Sequence, residues 1–324
     1  MKNFESFLSP QLNEYLAYRK TLGYATKSSR SHLLTFDRYL IETGVDWNSL
    51  QPSFFLAMRA NLKMEASGIN KILSAVRSLF QFLVRRGYVA ENPLQDIPFL
   101  KEDTIVPFIF SPEQVHQLLR AVCKGIRRRE RFFLADYGVF TAALLMARCG
   151  LRISEPLRLL GHHYRGDDGT LYIEKTKFRK DRLIPVPKGV MTEIENYLSV
   201  RKSLCTDDQN PYLLAGKDHK PLSEYHLRAA FHQAVKDIGL EQPRRVIGNM
   251  IFNPPTPHSL RHSFAVNTLL AIKKRRESLR HALPILASYL GHSEYKHTTI
   301  YLRVADALSR KNLVDFALWQ RRKP

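Results

Sequence analysis

Ile69, Ile72, Leu73, Val76, Leu79, Phe80 and Leu83 recur three and four apart through SGINKILSAVRSLFQFLVRRGYV, the spacing that gathers one apolar stripe along a helix. Gly87 stops the pattern, and Pro93 and Pro98 of ENPLQDIPFL cannot continue it. A helix followed by an extended connector therefore closes a first domain near residue 103. Upstream, LNEYLAYRKTLGY and SRSHLLTFDRYLIETG carry shorter helical patterns that end at Gly23 and Gly44. Residues 1–103 are expected to be all-α.

Beyond the connector, SPEQVHQLLRAVC opens on a capping Ser followed by Pro and Glu, the order that starts a helix. FFLADYGVFTAALLMARCG is apolar on nearly every side and predicts a buried helix. The period changes to two only in GTLYIEKTKFRKDRLIPVP, where LYIEK and RLIPV flank a basic turn as in a hairpin. The rest reads as helical. The expected fold is mainly α, an all-α N-terminal domain joined to a mixed α+β domain (104–324) with a small antiparallel sheet.

Charge narrows the partners. The 324 residues hold 50 Lys plus Arg against 30 Asp plus Glu, a formal net charge of +20. Residues 1–103 account for 13 basic and 10 acidic side chains, so the excess lies in the second domain. A polyanion is the natural partner, and binding to it should weaken with salt. Cys123, Cys149 and Cys205 form no CxxC pair and are odd in number, which fits a reducing cytoplasm and neither a disulfide framework nor a zinc cluster. No apolar run approaches the roughly 18 to 20 residues that span a bilayer, and MKNFESFLSPQLNEY lacks a signal peptide's apolar stretch, so no membrane partner is expected.

Four clusters could carry chemistry. In CGLRISEPLRLL, Arg152 and Glu155 are three apart, so the carboxylate can orient the guanidinium. Alone, such a pair is most often structural. In TPHSLRHSFA, His258 and Arg261 share a helix face, where a guanidinium offers paired donors to phosphate oxygens and an imidazole can move a proton. In LGHSEYKHTTIYLRV, His292 stands nine residues before Tyr301; a capping histidine and a half-buried tyrosine would be the ordinary reading. The turn TKFRKDR packs Lys175, Lys177, Arg179, Lys180 and Arg182 together, a solvated run or a probe of a DNA groove.

In this order, GLRISE, a lysine in a hairpin turn, HSLRH, LGH and a tyrosine nine residues on resemble the tyrosine recombinase (phage integrase) family, and the helix ending in GYVAENPL resembles that family's N-terminal core-binding domain. The resemblance implies a core-binding domain over 1–103 and a catalytic domain over 104–324. It implies that Arg152 and Arg261 hold a scissile phosphate of double-stranded DNA, that His258 and His292 are the site's histidines, and that Tyr301 is the nucleophile. Counting leftward from RLIPV favours Lys177 as the hairpin lysine, with Lys175 and Lys180 as neighbours.

Attack by the Tyr301 hydroxyl would displace a 5′-hydroxyl and leave a 3′-phosphotyrosyl link, conserving bond energy for rejoining without ATP. Two guanidiniums would stabilise the charged transition state in place of a metal, so no cofactor or metal is expected. A phenol of ordinary pKa about 10 needs a base, for which His258 is the better candidate, and Lys177 would protonate the leaving oxygen. Cutting two strands per site implies dimers on DNA and a tetramer in the joined complex, in a cytoplasmic, nucleoid-associated protein. A type IB topoisomerase shares the chemistry but not the N-terminal helices, and a non-cleaving regulator would not need the full residue set.

Some features depart or distract. Pro156 stands where the family more often carries an aliphatic residue, and AIKKRRESLRHALPI makes the stretch between Arg261 and His292 long, as a DNA or subunit contact or a solvated loop. His162, His163, Asp167 and Asp168 in GHHYRGDDG resemble a metal set, although Gly and Asp are also what a turn before a strand requires. Arg127, Arg128 and Arg129 suit phosphate contact or solubility. Phe316, Leu318 and Trp319 of FALWQ either plug a neighbouring subunit or pack at home.

Overall fold

The stripe on the strongest predicted helix becomes the centre of the first unit. The computed structural model describes residues 3–174, 181–205, 208–291, 298–299 and 301–302, and the chain divides into Met1–Thr104 and Ile105–Pro324. The first unit contains α1 (Ser9–Thr21), α2 (Lys27–Thr43), α3 (Pro52–Asn61) and α4 (Ala66–Arg85). All seven stripe residues of α4 are buried, in one cluster with Leu12, Leu33, Phe36, Phe55 and Met58. Gly44 closes α2 in the left-handed conformation at φ 60°, as a C-terminal glycine does. The Asn70 carboxamide of α4 donates to the Leu100 carbonyl and accepts from the Leu100 amide, both at 2.9 Å, which ties the extended connector to the helix.

Helix α3 was not foreseen. PSFFLAMRAN starts on a Pro suited to a first turn, but it buries only Phe55 and Met58, too few positions to reveal a period.

The second unit is built on α5 (Pro112–Lys124) and α6 (Glu130–Cys149), followed by α7 (Lys188–Leu204), α8 (Glu224–Asp237), α9 (Pro257–Lys274) and α10 (Leu279–Leu290). The cap before α5 is reciprocal: Ser111 Oγ accepts from the Gln114 amide at 3.2 Å, and Gln114 Oε1 accepts from the Ser111 amide at 2.9 Å. Helix α6 supplies Val139, Ala142, Ala143, Leu145 and Met146 to the core. It corrects the expectation about apolar runs, because by length and composition it could cross a membrane. Half of that stretch is buried inside the protein, as befits a core helix of this kind.

The hairpin expected from period-two alternation is present as β3 (Thr170–Ile173) against β4 (Arg182–Pro185), antiparallel with Leu171 opposite Ile184; β2 (Tyr164–Arg165) extends it on the β3 side. Leu171, Ile173 and Ile184 face the core. A second small sheet, ordered β1-β6-β5 from β1 (Thr104–Val106), β5 (Arg245–Ile247) and β6 (Met250–Phe252), lies where connector and helix were expected. Ile247 pairs with Met250 across a two-residue Gly248-Asn249 turn, with Gly248 at φ 59°. That turn signal was in the sequence, but all three β5 residues are exposed, so no alternation accompanies it.

Candidate active site

The last carbonyls of a helix have no partner within it and carry its partial negative charge. In the second unit, guanidiniums meet two such ends. Helix α6 stops at Gly150 (φ 61°) and α10 at Gly291 (φ 64°). Arg261 Nη1 donates to the Gly150 carbonyl at 2.8 Å and Nη2 to that of Leu290. Arg182 Nε donates to the Tyr289 carbonyl at 2.8 Å, and Arg152 Nη2 to that of Gly291 at 3.0 Å. Two helix ends thus place three cations around one point.

Glu155 balances them. Its carboxylate takes Arg152 Nη1 at 2.9 Å, the Arg152 amide at 2.8 Å and both terminal amino groups of Arg182 at 3.1 and 2.8 Å. Burial pushes the Glu155 pKa up, but hydrogen bonding and charge from Arg182, the Arg152 amide and the Arg261 cation outweigh it and hold the group below its ordinary value. Pro156 opens a single 3-10 turn, Pro156–Arg158, just past Glu155, so the proline leaves the Arg152 pairing intact.

Arg261 is 1% exposed. Burial first, then the like charge of Arg152, bring its pKa down to about 9, which leaves it a cation at neutral pH. His258 lies one turn earlier on α9 and is solvent-exposed. Crowding by protein, followed by the charges of Arg261 and Arg152, lowers it to about 4. At neutral pH it is an uncharged imidazole that can accept a proton.

Tyr301 is 2% exposed. Its ring packs with Ala265, Val266, Leu269, Leu283, Leu286 and Leu290, so the residue is an apolar anchor. Its hydroxyl nevertheless lies 3.0 Å from His262 Nδ1. Burial raises the phenol's pKa, against the opposing charges of Arg261 and Arg152 and a hydrogen bond from Arg261.

Of the residues expected from sequence, Arg152, His258, Arg261 and Tyr301 meet at this site. Lys177, its neighbours Lys175 and Lys180, His292, and the FALWQ residues Phe316, Leu318 and Trp319 lie outside the described residues. Two members were missed. Arg182 was hidden in a run of basic side chains. His262 was visible, four residues after His258 and therefore on the same helix face, and its ring centroid is 4.5 Å from that of His258.

The basic stretch after Arg261 forms the end of α9 and the start of α10, with Pro284 inside the latter. Among the distractions, His163 is 2% exposed and its Nδ1 accepts the Leu160 amide at 3.1 Å. Arg127 forms a two-pronged pair with Asp136, at 2.7 and 2.8 Å, and lies over the Phe132 ring.

Residues 109–307 match the model of the phage integrase family, and residues 9–87 match its N-terminal SAM-like domain. A putative integrase/recombinase, y4rE, from Sinorhizobium fredii is 29% identical over 313 residues, 93% of each chain. The tyrosine recombinase XerA of Pyrococcus furiosus is 28% identical over 319 residues, 95% of this chain and 96% of its own. The fold is similar to that of XerH site-specific recombinase bound to a palindromic difH substrate, with a TM-score of 0.69 at 17% identity over 96% of this chain and 84% of that one. It is also similar to a lambda integrase dimer bound to a COC′ core site, with a TM-score of 0.63 at 17% identity over 92% and 77%. With the model spanning most of the second unit and the arginines gathered around a docked tyrosine, the chain belongs to the phage integrase family of tyrosine recombinases.

Proposed function

We propose that this chain cuts and rejoins double-stranded DNA at specific sites, in integration, excision or transposition. The observation that carries the reading is that the Tyr301 hydroxyl sits where the charges of Arg261 and Arg152 both act on it. Those charges suit a phosphodiester and the additional negative charge of its transition state. Tyr301 Oη attacks phosphorus, the 5′-oxygen leaves, and a 3′-phosphotyrosyl link preserves the bond for transfer to another strand. Arg152 and Arg261 hold the non-bridging oxygens, His258 and His292 hydrogen-bond them, and Lys177 protonates the leaving oxygen. The guanidiniums supply the positive charge, so the chemistry requires neither metal nor nucleotide.

The first unit serves as the core-binding domain and the second as the catalytic domain. Structural relatives described as a DNA-bound dimer and as a tetramer on a Holliday junction support dimers on DNA and a tetramer in the joined complex. The working location is the cytoplasm, on the nucleoid. Incubation with a nicked duplex, from which the short cleaved strand diffuses away, tests the reading. A covalent protein–DNA adduct should form with the wild-type chain and be absent for Tyr301→Phe; its absence with every genomic fragment the protein selects would refute it.

A further inference from the structure

The base expected from sequence was His258, yet the imidazole in contact with the Tyr301 hydroxyl is His262. We propose that His262 is the catalytic residue that takes the Tyr301 proton during strand cleavage, leaving His258 to the phosphate. The assignment rests on the proposed strand-cleavage reaction, and its ground is geometric. His262 Nδ1 and Tyr301 Oη are 3.0 Å apart, within the roughly 2.6–3.2 Å reach a general base requires, and the two ring centroids are 5.6 Å apart. With the imidazole proton on Nε2, the phenol O–H donates to Nδ1.

The surroundings favour that direction of transfer. From α9, Arg261 and His258 face the pair; Arg152 precedes the Glu155 turn, and Arg182 and Glu155 complete the charged set. Arg261 and Arg152 oppose a proton on the neighbouring imidazole, but they stabilise the phenolate more directly, and a bound phosphodiester adds negative charge that eases imidazolium formation. Burial holds Tyr301 in its neutral form, so attack needs a group to take the proton that the hydroxyl gives up as its oxygen bonds to phosphorus.

The step balances within the site. As Tyr301 Oη bonds to phosphorus, its O–H electrons become the attacking pair and the proton moves to His262 Nδ1. The P–O5′ bond breaks and the 5′-oxygen takes a proton from the acid, which the proposed function places on Lys177. On rejoining, a 5′-hydroxyl attacks the phosphotyrosine and passes its proton to the now-neutral acid, while His262 returns its proton to the departing Oη. His262 therefore alternates between base and acid without net consumption.

The test uses the full chain and a nicked duplex carrying a genomic fragment selected by binding to the wild-type protein. Asn at 262 keeps a hydrogen-bonding group near the Nδ1 position but cannot accept the proton; Gln provides a second variant of different reach. Both should bind the duplex as the wild type does and form adduct about 100-fold more slowly. Both should also lose the acid limb of the wild-type rate profile. Replacing the bridging 5′-oxygen with sulfur, whose departure needs no proton, should rescue Lys177→Ala but not His262→Asn. In DNA-free protein, Tyr301→Phe should shift the His262 ring-nitrogen NMR resonance.

Variants that cleave within threefold of wild type overturn the assignment. So does a slow variant that keeps the acid limb, because that outcome means His262 only positions Tyr301. An unmoved His262 resonance in Tyr301→Phe refutes the contact itself, whether or not the position-262 variants fold. A wild-type chain that forms no adduct, or a Tyr301→Phe variant that does, fails at the earlier step and removes the cleavage reading together with the role of His262.

Discussion

Glu155 receives both terminal amino groups of Arg182, at 3.1 and 2.8 Å, on the same carboxylate that orients Arg152. Its side chain is 8% exposed and that of Arg182 9%. A buried ion pair contributes little over a well-packed apolar pair, but removing one partner strands the other's charge, at about 3–5 kcal/mol. Glu155→Gln preserves shape and removes the countercharge from Arg152, Arg182 and Arg261 together. Urea unfolding at neutral pH should show a loss in that range. A loss below about 1 kcal/mol would mean that the helix-end carbonyls satisfy the guanidiniums by themselves.

Gly150 and Gly44 both cap helices in the left-handed region, and they separate two costs of a side chain. A Cβ at Gly44 meets nothing within 4 Å, so Gly44→Ala carries only the conformational penalty, about 1–2 kcal/mol. A Cβ at Gly150 would come within 2.5 Å of the Phe264 ring, and the Gly150 carbonyl is a partner of Arg261. Gly150→Ala should therefore cost about 1–3 kcal/mol more than Gly44→Ala. It should also depress adduct formation, which Gly44→Ala should spare; equal unfolding midpoints for the two variants would contradict this account.

What the sequence made readable follows from what each pattern encodes. The α4 stripe and the β3–β4 alternation report burial on one face, and the structure contains both elements. The β5–β6 pair escaped because Val246 and Ile247 are 56% and 64% exposed, leaving the Gly248-Asn249 turn without a buried face to support it. At the site, ordered motifs named Arg152, His258, Arg261 and Tyr301. No spacing rule announces that Arg182 will reach the Tyr289 carbonyl 107 residues away, because that contact exists only once α10 ends beside β4. His262 was overlooked for a different reason. Tyr301 lies 39 residues along the chain, so the helix-face relation to His258 was legible but the choice between two imidazoles required the distance.

Arg152 is the least buried of the three site arginines, with 21% of its side chain exposed, although two of its nitrogens are engaged by Glu155 and Gly291. The remaining donors are those a phosphate can use. Lysine cannot reproduce that fork, so Arg152→Lys should retain the positive charge and most DNA affinity while slowing adduct formation. The expected loss is about 10²–10³-fold, that of one transition-state donor. Single-turnover trapping alongside a binding titration separates the two effects; a parallel fall in affinity and rate would instead assign Arg152 to ground-state binding.

His258 gives the site a pH signature of definite sign. Its folded pKa of about 4 lies below the ordinary histidine value near 6.5. Between those limits the unfolded chain binds more protons than the folded one, so stability rises with pH across the window. The contribution is fully present above 6.5 and is lost as pH falls toward 4. Glu155, also lowered, adds to the loss further down, below the ordinary carboxylate range. Urea midpoints measured from pH 7 to 4.5 should decline for the wild type and decline less for His258→Gln, which carries no titrating group there. Bound DNA brings a phosphate toward the imidazole and favours its charged form, so the same acidification should weaken the DNA complex less than it weakens the free fold. Identical slopes for wild type and His258→Gln would locate the acid sensitivity of that window in another group, and not in Glu155, whose loss falls below it.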